Sequence, residues 1–344
     1  MENFIRDFSQ PSPDLNNKTI LITGGTGSFG RAFVRHVLTC YKPKRLIVFS
    51  RDEQKHFEMA QVFNSADYPC MRYFIGDVRD YERLEMAMYE VDFVVHAAAM
   101  KHVPAAEYNP FECIRTNVYG AENVVRAALV NRVQRVIALS TDKACSPINL
   151  YGASKLASDK IFVAANNLRG DRGTRFAVVR YGNVIGSNGS VLPFFRKLLA
   201  EGADHLPITD DRMTRFWITL AQGVHFVLSS AETMIGGEIF IPKIPSMKVI
   251  DLATYLAPNL PTKIIGIRPG EKLHESMSTV DDARNMIELA DRYIVKPELQ
   301  FWNRGNYAIG NARFVEEGFK YTSNTNTEWL DRKGLERLLR EEKP

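Results

Sequence analysis

Tyr151 and Lys155 are separated by three residues. On an α-helix this spacing places both side chains on one face, where a lysine ammonium can lower the pKa of a tyrosine from about 10. A tyrosine that loses its proton near neutral pH is a general base, and the hydroxyl of Thr141 can orient a substrate alcohol beside it. The pattern predicts a proton-transfer site; the alternative interpretation is an ordinary pair on a helix surface.

Three glycines, each separated from the next by two residues, follow the first predicted strand and open the first predicted helix. Glycine at these positions allows a sharp turn and a close approach of the backbone to a pyrophosphate, while the helix N-terminus supplies N–H donors. The pattern predicts a dinucleotide site, although a tight turn without a ligand has the same spacing. The cofactor-binding residues predicted in this loop are Gly24, Thr26, Gly27, Ser28, Phe29 and Gly30.

The second predicted strand is followed by Ser50, Arg51 and Asp52, with Lys55 one helical turn later. Arg51 can pair bidentately with a 2′-phosphate while Ser50 donates a hydrogen bond, which favours NADP over NAD. Asp52 can instead bond a ribose hydroxyl or cap the following helix. An exposed surface role is the alternative for Arg51. Further cofactor contacts are predicted at Lys55, Asp77, Val78, Ala97, Tyr151 and Lys155.

Thr141 is followed directly by Asp142 and Lys143, an acid beside a base. Simple hydride transfer needs neither group, so the pair could handle two further protons. We expect partial desolvation and the positive charge of an oxidised cofactor to lower the pKa of Lys143 from about 10.4. The alternative is a surface ion pair at the start of a loop.

The elements that must position these residues alternate between short apolar runs and helix-length segments. The near-continuous apolar runs are typical of a parallel sheet covered on both faces, and the alternation predicts an α/β, Rossmann-type doubly wound domain. The predicted strands are Thr19–Thr23, Arg45–Phe49, Arg72–Ile75, Phe93–His96, Arg135–Leu139 and Phe176–Arg180. The predicted helices are Gly30–Cys40, Gln54–Phe63, Tyr81–Met88, Pro110–Val130 and Tyr151–Asn167.

The regular alternation ends after Tyr181, where loops are predicted at Gly186–Gly189, Ile241–Ser246 and Arg268–Gly270. We therefore predict three regions. Residues 1–17 form a flexible N-terminal extension, residues 18–182 form the NADP-binding domain, and residues 183–344 form mainly a smaller substrate-binding lobe. Segments of this last region can return to the first sheet, and its end near Lys333–Glu342 is predicted to be helical.

Composition narrows the class of partner. Lysine and arginine total 44 against 40 acidic residues, a net charge of +4 that is too small to indicate binding to nucleic acid or to a membrane surface. The apolar runs are too short to span a bilayer, and no leader sequence is evident, so a cytoplasmic location is expected. No metal site is predicted, because the cysteines are far apart in the sequence: Cys40, Cys70, Cys113 and Cys145.

From about Lys18 to Glu275 the chain resembles the extended short-chain dehydrogenase/reductase family, which binds NAD(P) and acts on nucleotide sugars. Five segments look like those of its inverting UDP-N-acetylglucosamine 4,6-dehydratases: 101–104, 140–143, 149–155, 212–217 and 268–272. The resemblance implies a catalytic set of Thr141, Asp142, Lys143, Tyr151 and Lys155. It further implies that Asp142 protonates the departing hydroxyl and that Lys143 removes the carbon 5 proton.

The same resemblance implies UDP-N-acetylglucosamine as substrate, a homo-oligomer, and the first step of pseudaminic acid synthesis for flagellin and surface glycosylation. Its substrate-binding residues would be Lys101, Asn183, Thr209, Met213, Arg215, Arg268 and Glu271. Three alternatives stay open from the sequence. They are a retaining 4,6-dehydratase, a nucleotide-sugar 4-epimerase and a non-catalytic NADP-binding scaffold.

Overall fold

The computed structural model describes residues 5–170, 173–187, 189–298 and 312–341. Its strands are β1 (Thr19–Thr23), β2 (Arg45–Ser50), β3 (Met71–Ile75), β4 (Phe93–His96), β5 (Arg135–Thr141), β6 (Arg175–Tyr181), β7 (Asn183–Val184), β8 (Leu206–Ile208), β9 (Thr214–Ile218), β10 (Ile239–Pro242), β11 (Ser246–Lys248), β12 (Thr262–Ile264), β13 (Met286–Glu288), β14 (Arg292–Val295) and β15 (Arg313–Phe314). The shortest of these cover only two residues.

The α-helices are α1 (Ser28–Cys40), α2 (Glu53–Val62), α3 (Tyr81–Ala87), α4 (Val103–Tyr108), α5 (Pro110–Ile114), α6 (Gly120–Val130), α7 (Leu150–Ala165), α8 (Val191–Ala200), α9 (Leu220–Thr233), α10 (Val249–Leu256) and α11 (Arg332–Glu341). A π-helical turn, Arg115–Tyr119, joins α5 to α6. Two 3₁₀ turns cover Asp142–Ala144 and Asp282–Asn285.

Ten of the described strands form one sheet in the order β15-β13-β14-β10-β6-β5-β4-β1-β2-β3. The strands from β3 to β10 in this order pair in parallel, whereas β14, β13 and β15 join antiparallel. Strands β1 and β4 are wholly buried, as their apolar sequences require in a parallel sheet covered on both faces. The predicted α/β doubly wound fold is confirmed.

The smaller lobe is built on a second core, which includes Leu192, Phe195, Trp217 and Leu335. Strands β7, β9 and β11 form one small sheet there, and β8 pairs with β12. The sequence predicts mainly a lobe over 183–344 with segments that can return to the first sheet, and β10, β13, β14 and β15 do join the large sheet. The later half of the chain therefore contributes to both cores.

Three local predictions differ from the structure. The single helix predicted over Pro110–Val130 is interrupted by the π-helical turn, where buried Asn117 bonds the backbone of Met100 and the hydroxyl of Ser154. The loop predicted at Ile241–Ser246 begins later, because the buried strand β10 continues through Pro242.

The third difference concerns the N-terminal segment. The sequence predicts a flexible extension over residues 1–17, whereas the described residues 5–17 pack against the body of the protein. Phe8 is buried with its ring 5.1 Å from that of Phe226, and the Arg6 guanidinium pairs bidentately with the Glu328 carboxylate. Apolar burial and this ion pair fix the segment. Across the described ranges, no helix combines the length and apolar character needed to cross a bilayer.

Candidate active site

The glycine loop turns sharply between β1 and α1. Gly24 has a φ of +66°, and a Cβ there would lie 2.8 Å from the backbone nitrogen of Ala98, so only glycine fits. A Cβ on Gly30 would lie 2.2 Å from the carbonyl oxygen of Gly25, which explains the close packing of α1 on the loop. Gly27 is the N-cap of α1 and offers no side-chain cap. These features fit the pyrophosphate of a dinucleotide at the helix N-terminus.

The end of β2 lies beside this loop. The hydroxyl oxygens of Ser50 and Thr26 are 2.9 Å apart. The Arg51 side chain is 65% exposed, with its guanidinium 3.8 Å from the carboxylate of Asp77. An exposed cation on the residue after Ser50 is compatible with a 2′-phosphate ligand.

Asp52 caps α2 by accepting a hydrogen bond from the backbone N–H of Lys55 at 3.0 Å, which confirms the capping interpretation. The Lys55 ammonium is also 3.0 Å from the Asp52 carboxylate. Val78 is buried in the loop between β3 and α3. The N–H of Ala97, which directly follows β4, donates to the carbonyl of Thr23. The predicted cofactor residues thus follow the carboxyl ends of β1 to β4.

Helix α7 carries Tyr151 and Lys155 and is fixed at its N-terminus. The Asn149 side chain accepts a hydrogen bond from the Gly152 N–H at 2.7 Å and donates one to the Gly270 carbonyl at 2.7 Å. A Cβ on Gly152 would lie 2.2 Å from the carbonyl oxygen of Lys143. The helix therefore packs directly on the 3₁₀ turn that follows β5.

Tyr151 is half-buried, and its hydroxyl interacts with Thr141. Burial raises the pKa of Tyr151 to about 12, and Lys143 and Thr141 lower it only in part. Lys155 is buried, and that burial lowers its pKa while Asp159 opposes the shift. Burial of Tyr151 thus opposes the formation of a tyrosinate, because its desolvation outweighs the nearby positive charge, and the lowering of its pKa by Lys155 stays a prediction.

Asp142 and Lys143 lie at the same site. Asp142 is 1% exposed, and its Oδ1 accepts hydrogen bonds from the Thr141 hydroxyl at 2.9 Å and the Lys143 ammonium at 3.0 Å. Burial lowers the pKa of Lys143, but Asp142 and Glu275 raise it more strongly. The net pKa lies above the ordinary lysine value, so the predicted decrease is wrong. The alternative of a surface ion pair is excluded by the burial of Asp142.

Glu275 was not among the residues predicted from sequence. Its Oε1 lies 3.4 Å from the Lys143 ammonium and 3.7 Å from Nε of Arg215. It follows the charged stretch 268–272, so a second carboxylate after Glu271 was the available signal. Only the fold distinguishes the two carboxylates, because the strand and loop geometry buries Glu275 and leaves Glu271 partly exposed.

Arg215 is almost fully buried, and its side chain is bonded to the backbone. Nη1 donates to the carbonyls of Thr214 at 2.7 Å and Leu273 at 3.1 Å, and Nη2 donates to that of Lys272 at 2.9 Å. Nε faces Glu275. Arg215 thus ties β9 to the 271–275 segment, and contact with a substrate phosphate stays a prediction.

The other predicted substrate residues occupy several segments. Lys101 follows β4, Asn183 begins β7, and Thr209 follows β8. Met213 is buried next to β9, and Arg268 is exposed on the loop that meets α7 through Gly270. Glu271 Oε1 is 3.8 Å from Arg215 Nη2. Of these positions, Lys101 and Asn183 follow the carboxyl ends of β4 and β6 in the parallel sheet, where ligands of doubly wound folds bind, and substrate contact by the whole set stays a prediction.

The fold, the glycine loop and the Tyr151 helix define a nicotinamide-dinucleotide enzyme of the Rossmann type. The chain belongs to the family of polysaccharide biosynthesis proteins, whose sequence model matches residues 20–297.

The chain is 61% identical over 329 residues to the inverting UDP-N-acetylglucosamine 4,6-dehydratase of Campylobacter jejuni, covering 94% of this chain and 98% of the relative. It is 40% identical over 330 residues to the UDP-glucose 4-epimerase of Rickettsia massiliae, covering 94% and 95%. A solved double mutant of DesIV, a dTDP-glucose 4,6-dehydratase of Streptomyces venezuelae with NAD bound, is 25% identical. It superposes with a TM-score of 0.63 over 74% of this chain and 86% of that chain.

Proposed function

We propose that the protein is a UDP-N-acetylglucosamine 4,6-dehydratase that inverts carbon 5. The observation that carries this proposal is the contact between Asp142 and Lys143, 3.0 Å apart, in the turn on which the Tyr151 helix packs. Simple alcohol oxidation needs only Tyr151, Lys155 and Thr141. An additional buried acid–base pair fits an elimination. The 61% identity to the Campylobacter jejuni enzyme supports the same reaction.

Each side chain has a chemical role in this scheme. A bound NADP supplies a hydride acceptor that is restored within the same turnover. Tyr151 takes the proton of the 4-hydroxyl while Thr141 orients the sugar. Asp142 protonates the 6-hydroxyl as it leaves, and Lys143 removes the carbon 5 proton and returns one to the opposite face. The net change is the loss of one water.

Lys143 and Asp142 must each change protonation state before they act. Lysine is a base only when neutral, and aspartate is an acid only when protonated. The Lys143 ammonium, 3.0 Å from Asp142, must therefore lose its proton to solvent before the side chain takes the carbon 5 proton. Because the carboxylates favour the ammonium, neutral Lys143 is a minor state, and the rate of the carbon 5 step should rise with pH.

NADP is the proposed cofactor because Arg51 and Ser50 lie together at the end of β2. Denaturing the purified protein and identifying the released nucleotide tests this choice. Release of NAD alone, with no preference for the 2′-phosphate in binding measurements, would contradict it.

The reaction is tested by incubating the protein with UDP-N-acetylglucosamine in heavy water and recording product NMR spectra. Solvent deuterium should appear at carbon 5, and the new hydrogen at carbon 6 should come from carbon 4 of the same sugar. Lys143→Ala should still reduce the bound cofactor with substrate and then stall. Formation of the inverted 4-keto product by Lys143→Ala at the parent rate would show that the pair is only structural.

A 4-epimerase is the second candidate, favoured by the 40% identity to the Rickettsia massiliae protein. Epimerisation conserves mass, whereas dehydration yields a product lighter by one water, so mass spectrometry separates the two. The cytoplasmic location, the homo-oligomer and the place in pseudaminic acid synthesis are part of the same proposal. They are tested by fractionation, by light scattering and by product analysis with the following enzyme.

A further inference from the structure

Glu275 is a buried carboxylate with two cationic neighbours and no role in the scheme above. It is 1% exposed, and its Oε1 lies within 4 Å of both Lys143 Nζ and Arg215 Nε. Its Oε2 is also buried and has no hydrogen-bond partner among the described residues. A buried charge of this kind is costly unless it is paired, so its position needs an explanation.

The backbone of Glu275 is fixed by a distant part of the chain. Its N–H donates to the Ser323 hydroxyl at 2.9 Å, and its carbonyl accepts from the Ser323 N–H at 2.8 Å. The same hydroxyl lies 2.7 Å from that of Thr214 on β9. Glu275 therefore has a defined place relative to β9, which also carries Arg215.

We propose that Glu275 is a positioning residue for Lys143, whose ammonium it contacts, as does the neighbouring Asp142, and which it connects to Arg215. The inference rests on the proposed function, because it assigns Glu275 to the base of that reaction. Lysine has a long flexible side chain, and one contact with an adjacent residue restricts it little. A second carboxylate from another segment fixes the ammonium between two points.

The charged and titratable groups that face Lys143 come from four places. Asp142 lies on the same turn as Lys143, Tyr151 lies on α7, Arg215 lies on β9, and Glu275 lies in the segment 271–275. Glu275 stabilises the ammonium and opposes its deprotonation. Removing this negative charge should therefore make Lys143 easier to deprotonate and also less well placed.

The test compares Glu275→Gln with the parent enzyme at a series of pH values. The readout is the single-turnover rate of solvent deuterium incorporation at carbon 5, with cofactor reduction by substrate measured in parallel. We expect the rising part of the carbon 5 profile to move to lower pH by about one pH unit, the usual scale for losing an opposite charge at this distance. Its maximum should fall, while the pH profile of cofactor reduction should keep its position.

Glu288→Gln is the matched control. Its carboxylate also pairs with a lysine, Lys243 at 2.8 Å, but on β13 in the large sheet. This variant should keep the parent profile. Glu275→Asp retains the negative charge on a shorter side chain. The rising part of its carbon 5 profile should therefore stay at the parent pH, while the rate of the carbon 5 step should fall.

An unchanged pH position in folded Glu275→Gln would overturn the inference, as would a shift of the same size in Glu288→Gln. If Glu275→Gln does not fold, the result for Glu275→Asp decides whether the inference holds. A parental pH position with a slower carbon 5 step supports the inference, and a parental rate overturns it. Failure of the proposed function is recognised separately, because the parent enzyme would then form no 4-keto product.

Discussion

Tyr151 is half-buried, and its hydroxyl interacts with Thr141 and with the positive charge of Lys143. We predict that Tyr151→Phe lowers turnover by about 100-fold or more, because loss of a general base has this scale. The change removes one oxygen and no packing volume, so circular dichroism and cofactor content should stay at parent values. Single-turnover cofactor reduction measures the effect directly.

Tyr89→Phe is the control for this substitution, since that side chain is 66% exposed on the surface. It should turn over at the parent rate. Near-parental activity of Tyr151→Phe would assign the removal of the hydroxyl proton to another group.

At the residue scale, the sequence shows which side chains are present and how they are spaced, but it does not show the electrostatic environment of each side chain. The spacing of Tyr151 and Lys155 predicts one face of a helix, and both residues lie on α7. The pKa of Lys143 could not be predicted in this way. That pKa is raised by Asp142 and by Glu275, and Glu275 is far away in the sequence and is brought to the site by the contacts of Ser323 and β9.

At the scale of elements, the close contact between α7 and the 142–144 turn depends on Gly152. Glycine to alanine within a helix usually stabilises a protein by about 1 kcal/mol. At Gly152 we predict the opposite sign, since a Cβ would lie 2.2 Å from the Lys143 carbonyl oxygen. Gly152→Ala should lower the free energy of unfolding by about 1–3 kcal/mol and reduce turnover, as measured by denaturant titration and product formation.

Gly223 in α9 provides the comparison. The nearest atom to a Cβ there is Cε2 of Phe29 at 3.9 Å, an ordinary van der Waals distance. Gly223→Ala should therefore be neutral or stabilising by up to about 1 kcal/mol. Equal effects of the two substitutions would contradict the steric explanation.

The contact between α1 and α9 contains a histidine pair, His36 and His225, with ring centroids 4.8 Å apart. Burial and the neighbouring His225 lower the pKa of His36 from 6.5 to about 4. The unfolded chain therefore binds this proton more readily than the folded one. Its contribution to stability is present above about pH 6.5 and is lost as the pH falls towards 4.

We predict that His36→Gln weakens the pH dependence of the free energy of unfolding in this window. After allowance for solvent screening at this partly exposed position, the difference should be about 1–2 kcal/mol between pH 6.5 and 4. Urea titrations of both proteins at several pH values measure it. Parallel curves across the window would contradict the assignment.

At the scale of the whole molecule, the N-terminal segment connects to the later half of the chain. Phe8 packs on Phe226 of α9, and Arg6 binds Glu328. We predict that Phe8→Ala lowers the free energy of unfolding by about 3 kcal/mol, as for other buried phenylalanines. Phe57→Ala, at a position 62% exposed, should change it by less than about 0.5 kcal/mol. Similar losses for both variants, measured by urea titration, would argue against docking of the segment.

The large sheet was predictable because each of its first six strands is a short apolar run between turn signals. The small sheets were not, since β7, β8 and β11 are too short to give a periodic pattern. The docking of residues 5–17 was also missed. That segment is polar and broken by prolines, and only Phe8 and Leu15 are apolar residues that become buried in the core.

The bonds between Glu275 and Ser323 have a consequence for protein synthesis. The ribosome releases the cofactor-binding half first, and the parallel sheet through β6 is available before residue 323 has been made. Contacts between distant parts of a chain carry the larger loop-closure cost and form late. A nascent chain would therefore reach a dinucleotide-binding state while Lys143 still had Asp142 as its carboxylate partner and lacked Glu275. Completion of the acid–base site would be among the last events of folding, after translation has passed the C-terminal segment.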